Sequence, residues 1–398
     1  MRRIIAVSVL AVAPLVATAQ SQDEPKRPRL PTTADTNEAH AYYDFGLGHL
    51  RKRPAIAADA FYWATRLSPT SGEAFYARRV ALLLTDRRRL VRYWNGEQNT
   101  VRNAEIQRID SLYLRALTLN PFLYEKLDQH LFQAMIEEYA DAEAIRTGSS
   151  AGEVRILVDT WLMRAGPGTR AWQAYGAGRF NEALDEWARA IKTARHKYGY
   201  RSMRGRVFFQ LNQVDSALAE LKLAVEEVRK RDSKDLIYVY QSKALFEHSV
   251  AMAFERRGDM AEAREAYARA LQEDLAYSPA HVRLAYMSLD QKDTTTALSE
   301  FDLAVQLRPD DSGLRYQYGY ILSLAQKPAE AAEQLEKAVA LNRWYALPYL
   351  ALGAVYDHLG KRAEALSAYR SFLALASRQD PRRNEAEQRV QALASSGN

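Results

Sequence analysis

Residues 349–370 read YLALGAVYDHLGKRAEALSAYR, a stretch that sets glycine and alanine among tyrosine and leucine at regular intervals. Tyr349, Leu352, Gly353 and Tyr356 recur at spacings of three and one, then three, which places them on one helical face. Gly360-Lys361 interrupts the run, and Ala365, Ala368 and Tyr369 resume a helical spacing after it. The stretch predicts two helices joined by a tight turn. Its small residues let the neighbouring helix approach closely, and its large ones fill the adjoining holes.

The second half of this pattern recurs along the chain as a triplet of alanine, a large residue and alanine. The series is Ala183-Trp187-Ala190, Ala217-Leu221-Ala224, Ala263-Tyr267-Ala270, Ala297-Phe301-Ala304, Ala331-Leu335-Ala338 and Ala365-Tyr369-Phe372. Successive leading alanines lie 34, 46, 34, 34 and 34 residues apart, so the exception is one period plus an insertion of 12. Turn signals precede the triplets at Gly178-Arg179, Asn212-Gln213, Gly258-Asp259, Gln291-Lys292-Asp293 and Gly360-Lys361. Each unit is expected to be a helix, a turn and a second helix.

This pattern resembles the tetratricopeptide repeat, whose 34-residue unit carries W-x2-L-G-x2-Y, then A-x3-F-x2-A, then P. Tyr349-x2-Leu352-Gly353-x2-Tyr356 stands for the first part, and Ala297-x3-Phe301-x2-Ala304 followed by Pro309 reproduces the second. The resemblance implies an all-α fold, a right-handed α-solenoid of stacked helix pairs, with an irregular helical N-terminal part.

Residues 166–376 hold the regular array, and residues 38–165 read as degenerate or interrupted units. Ala57-Phe61-Ala64 with Pro69, and Tyr113-Ala116 with Pro121, match second helices there. A lengthened helix or inserted loop is expected near Trp94-Asn95-Gly96, and a separate helical domain is the alternative for the whole region. Residues 20–37, proline-rich and polar, are expected to form a flexible leader. Residues 377–398 are expected to be a capping helix and tail with a wet outer face.

Residues 1–19 read as an export signal. Arg2 and Arg3 precede an apolar run broken at Pro14, and Ala17-Thr18-Ala19 supplies a small-x-small cleavage pattern. The run is too short to span a bilayer. The mature chain is therefore expected in a bacterial envelope, in the periplasm, with secretion beyond it as the alternative. The 398 residues contain no cysteine, which excludes disulfides and thiolate chemistry. A net charge of +6 lacks the dense basic face of a nucleic-acid binder.

No phosphate-binding glycine loop, nucleophile elbow or paired-histidine metal motif is present in the sequence. Glu182, Glu262, Glu330 and Glu364 recur before the triplets, as solvated acids that complement a helix N-terminus. Neither catalytic residues, nor a cofactor site, nor a metal site is assigned. Between Arg51 and Arg92 the chain has ten Lys or Arg against three Asp or Glu. That run reads as a solvated helix face, with contact to an anionic surface as the alternative.

In the family that the pattern resembles, the first helix of each unit lines a concave groove that holds peptide ligands. Carried over by register, the groove positions are Arg206, Phe209, His248, Met252, Tyr286, Tyr316, Tyr320 and Leu350. The three tyrosines suggest an aromatic groove for an extended or helical apolar segment. Packing between helices is the competing role for them. The expected function is a non-catalytic scaffold or adaptor for a protein or peptide partner. The alternatives are a cell-wall enzyme with its site in the N-terminal half, and a self-assembling structural subunit.

Overall fold

The computed structural model describes residues 24–86, 90, 104–163, 166–231 and 242–395. The export-signal reading of residues 1–19 and the loop near Trp94 lie outside the described residues, as does part of the basic stretch. Among the described residues there are 19 helices.

Two pairs come first: α1 (Ala39–His49) with α2 (Pro54–Leu67), and α3 (Gly72–Leu84) with α4 (Ala104–Leu119). An irregular hairpin follows, α5 (Asp128–Thr147) and α6 (Ala151–Met163). Six regular units then run from α7 (Pro167–Gly176) with α8 (Phe180–Thr193) and α9 (Tyr198–Gln210) with α10 (Val214–Arg229). They continue as α11 (Lys243–Arg257) with α12 (Met260–Glu273), and α13 (Ser278–Asp290) with α14 (Thr294–Leu307). The last two are α15 (Ser312–Leu324) with α16 (Pro328–Leu341), and α17 (Ala346–His358) with α18 (Arg362–Leu375). The final helix α19 (Arg383–Ser395) packs Ala386, Val390 and Leu393 against Tyr369 and Phe372 of α18.

The triplets are the cores of the pairs. All of their large residues, from Trp187 to Tyr369, are buried. The partner of each is the small residue 16 positions earlier, in the first helix of the same unit. A Cβ placed on Gly353 would lie 2.7 Å from the Tyr369 ring, and one on Gly319 2.7 Å from Leu335. One on Gly205 would lie 2.6 Å from Leu221. Ala171, Ala251 and Ala285 occupy the same position opposite Trp187, Tyr267 and Phe301, and all three are buried. The glycine of the motif is thus a socket for the large residue of the triplet, and density of packing makes it intolerant of added volume.

The turn inside every regular unit uses a left-handed residue at one register position. These are Gly178, Asn212, Gly258, Lys292, Gln326 and Gly360, with φ between 58° and 95°. Their spacing repeats that of the triplets, because the same turn must aim the second helix back along the first. Three of the six are not glycine and carry the steric cost of that conformation.

The superhelix comes round far enough for its start to meet its end. The side-chain amide of Asn342 donates to the Arg66 carbonyl at 2.6 Å, and Arg66 donates to the Leu341 carbonyl at 3.3 Å. Trp63 and Trp344 meet edge to face with centroids 5.2 Å apart. Arg115 pairs with Asp311 at 2.7 Å, while the other Asp311 oxygen caps α15 through the Leu314 amide. The first two helix pairs therefore lie along the turns that join the last three units. Residues 24–37, expected to form a flexible leader, bridge this seam: Asp35 accepts from the Ser377 hydroxyl at 3.1 Å, and Asn37 donates to the Ala374 carbonyl at 2.9 Å. The reason is that Glu24 and Asp35 also find partners more than 300 residues away, in Arg343 and Ser377.

Candidate functional site

The first helices of the units present the positions expected to line a groove, and they divide into two groups. At α9 the face is already occupied by the chain itself. Phe122 stacks on Phe209 with centroids 3.6 Å apart, and Gln210 donates to the Phe122 carbonyl at 2.8 Å. Arg206 donates to the Leu123 carbonyl at 2.7 Å and to Glu125 at 2.9 Å. Arg206 and Glu125 are both buried, and the Arg256 guanidinium closes the stack 4.9 Å from the Phe209 ring.

This inserted turn brings a polar cluster with it. Tyr113 donates to Glu125, and the Glu125 amide donates to the Tyr175 hydroxyl at 3.1 Å. Tyr76 donates to Asp128 at 2.9 Å, and Arg79 lies 3.6 Å from the same carboxylate. Burial, with the Glu125 charge adding to it, raises the Asp128 carboxyl against the opposing pull of Arg79. Burial likewise raises the phenols of Tyr113 and Tyr175. The cluster joins α3 and α4 to α7 and α9, so Arg206 holds the N-terminal half onto the array.

His248 lies in α11, buried, with its Nδ1 2.9 Å from the Tyr277 hydroxyl. Burial, and then the charge of Arg283, depress its pKa to about 3. Met252 is half-buried against the main core. His281 is bound to Glu300 at 2.6 Å, and that hydrogen bond raises its pKa. The two histidines have different hydrogen-bond partners. Among the described residues, no group of three His, Cys, Asp or Glu is placed to hold a metal ion.

The second group is at α13, α15 and α17. Tyr286 is half-buried edge-on to Phe301, with centroids 5.3 Å apart. Tyr316 is half-buried, packs edge to face on Tyr345 at 5.3 Å and stacks on Tyr320 at 6.3 Å. Tyr320 is 46% exposed, and Leu324 one turn on is 61% exposed. Leu350 is half-buried against the cluster of Tyr369 and Phe372. Of the three tyrosines, Tyr320 is the one free to meet a ligand, while Tyr286 and Tyr316 also pack within the array.

The N-terminal half contains a cavity of about 270 Å³ between α5 and α6, lined by Glu137, Asp141 and Arg155 with Ala140, Ala151 and Gly152. No histidine lines it. In the basic stretch, Arg51, Lys52 and Arg53 are exposed, whereas Arg79 is buried and Arg66 is paired with Glu24 at 3.0 Å. No described helix is long and apolar enough to cross a membrane.

The seam holds residues that the sequence reading did not single out: Tyr42, Trp63, Arg66, Arg343 and Trp344. One signal was available. The turn at 341–345 carries Arg343 and Trp344 where the turn one period earlier carries Pro309 and Asp310, and a tryptophan in a turn wants a partner.

The family model described as Tetratricopeptide repeat matches residues 169–232 and 251–312. No curated protein matches the chain. Among solved structures, the chain is similar to YrrB, a TPR protein with an unusual peptide-binding site, at 19% identity and a TM-score of 0.40. That match covers 52% of this chain and 100% of the other. The C-terminal part of a TPR repeat-containing protein from Cytophaga hutchinsonii matches at 13% identity and a TM-score of 0.43, over 57% of this chain and 95% of that one. The TPR2AB domain of yeast Sti1, solved as a complex with pHSP90, matches at 16% identity and a TM-score of 0.26, over 59% and 99%.

Proposed function

We propose, from the premise that this chain is a tetratricopeptide-repeat protein, that it is a non-catalytic scaffold in a bacterial envelope that holds a partner segment on α13, α15 and α17. The observation that carries the reading is Tyr320, exposed beside Leu324 and stacked on Tyr316. Rigid stacked pairs present this face ready-made, so little ordering entropy is lost on binding. An aromatic surface suits an apolar segment, extended or helical. The α9 end of the same row is filled by residues 122–125, which confines the binding face to the later units.

Export is part of the proposal and rests on the charged start, apolar run and cleavage pattern of residues 1–19. Mass spectrometry of the protein from its own host should find a chain beginning near Gln20 in the periplasmic fraction. An intact Met1 in the cytoplasm would remove the envelope from the proposal.

The test of the binding face is cross-linking in envelope extracts with the Tyr320→Ser variant beside the unaltered chain. Capture of a distinct partner by the unaltered chain, lost in the variant at unchanged melting temperature, is the expected outcome. Equal capture by both would move the contact away from α15.

A further inference from the structure

We infer that the seam between α2 and the turn at 341–345 is a second peptide-recognition site, and that it takes an extended segment carrying a carboxylate three residues before an arginine. Its resident occupant is the chain's own stretch of residues 24–37, EPKRPRLPTTADTN. The site is separate from the tyrosines of α13 and α15 and does not rest on them.

Recognition of the occupant comes from both sides of the seam. The Glu24 carboxylate accepts from Arg66 at 3.0 Å on one side and from Arg343 and the Trp344 indole at 3.4 Å each on the other. The Trp63 indole donates to the Pro25 carbonyl at 3.1 Å, which fixes the backbone direction. The Arg27 guanidinium then sits in an aromatic box, 5.1 Å from the Tyr42 ring, 5.0 Å from Trp63 and 5.3 Å from Trp344. Guanidinium is the cation suited to such a box, because it is planar and weakly hydrated. Leu30 covers the apolar edge of the same cluster.

Three features make this a site with an occupant instead of an ordinary packing contact. The walls also contact each other directly, since Asn342 bonds Arg66, Trp63 meets Trp344 and Arg115 pairs with Asp311. The occupant has no helix of its own and touches the array through side chains and the carbonyls of Pro25 and Ala34, as a bound peptide does. It is half-buried, so its contacts are of the kind that open locally before the helices do. Its tether to α1 at Asn37 keeps its effective concentration high, which hides the site from a competitor in solution. The partner this site fits is therefore a protein segment with the same acid-x-x-arginine spacing, which gains access when the resident stretch is released.

The experiment uses the full chain with Glu24→Gln and Arg27→Gln, which weakens the resident without touching the walls. The probe is a fluorescein-labelled synthetic peptide of residues 24–37, followed by anisotropy. The peptide should bind this variant at least about 10-fold more tightly than it binds the unaltered chain. An Arg27→Ala peptide should lose at least about 10-fold, and so should the variant chain carrying Arg343→Ala as well. Tyr320→Ser should leave peptide binding unchanged, so failure here and failure of the groove reading remain distinct. Equal binding to both chains, or indifference to Arg27 in the peptide, would overturn the inference. So would unfolding of the doubly substituted chain, because a stretch whose weakening unfolds the protein is a tie of the fold and not a ligand.

Discussion

Asn342 donates its side-chain amide to the carbonyl of Arg66, 276 residues earlier in the chain, at 2.6 Å. The same side chain accepts the Trp344 amide at 3.2 Å, and it is buried. One amide group thus shapes a turn and closes the solenoid. Asn342→Ala removes a donor from a part-buried carbonyl and should cost about 1 kcal/mol, read as a lower urea midpoint. Its loss should be largest in hydrogen exchange at α1 and α2, which the seam holds in place.

The sockets for the triplet residues make a paired prediction. Gly353→Ala places a methyl group 2.7 Å from the Tyr369 ring and should destabilise by about 1–3 kcal/mol. Gly48→Ala lies in a helix with no atom within 4 Å of the new methyl, and should stabilise by about 0.5–1 kcal/mol. Equal effects in thermal unfolding would show that the glycine in the motif is there for some reason other than space.

Lys292 and Gln326 hold φ of 62° and 60° in turns where their counterparts Gly178, Gly258 and Gly360 hold similar values. Replacing either by glycine removes the left-handed penalty, at some cost in unfolded-chain entropy. A net gain of about 0.5–1 kcal/mol is expected for each, in the denaturant midpoint. Unchanged midpoints would mean that those two turns carry no strain.

Arg206 separates a core role from a contact role. Arg206→Ala leaves Glu125 buried without its cation and should cost about 3–5 kcal/mol. Adding Glu125→Gln should recover part of that loss. Stability unmoved by Arg206→Ala would return the residue to the binding face.

His248 sets an acid dependence. Its folded pKa of about 3 lies below the 6.5 of the free side chain, so an unfolded chain takes up a proton that the native imidazole refuses. Stability therefore falls as pH drops below about 6.5, by about 1.4 kcal/mol per unit for this group, until the folded pKa is reached. His281 runs the other way: its raised pKa gives a contribution that is present below 6.5 and is lost as pH rises. The His248→Gln variant should show a shallower decline between pH 6.5 and 4 in urea titrations. An unchanged slope would assign the acid sensitivity to other groups.

The helix pairs were legible because their signal is local. Tyr369 meets Gly353 within one 34-residue unit, and three- and four-residue spacings show the buried face directly. The positions assigned to a groove rested on register alone. Tyr320 is exposed at its position, but nothing near Arg206 in the chain announces Phe122 or Glu125, which come from a turn about 80 residues earlier. The irregular half hides this because its units depart from the period just where they fold back onto the array.

By itself the sequence determined an all-helical repeat, its unit, its turns and the pairing inside each unit, because nearest-neighbour contacts repeat with the period. Only the tertiary structure decided the closure of the superhelix, the fate of residues 24–37 and the burial of Arg206. These depend on small rotations between units that add up over the whole array. A period records what each unit packs against next to it. It does not record where the sum of those rotations brings Arg66 relative to Asn342.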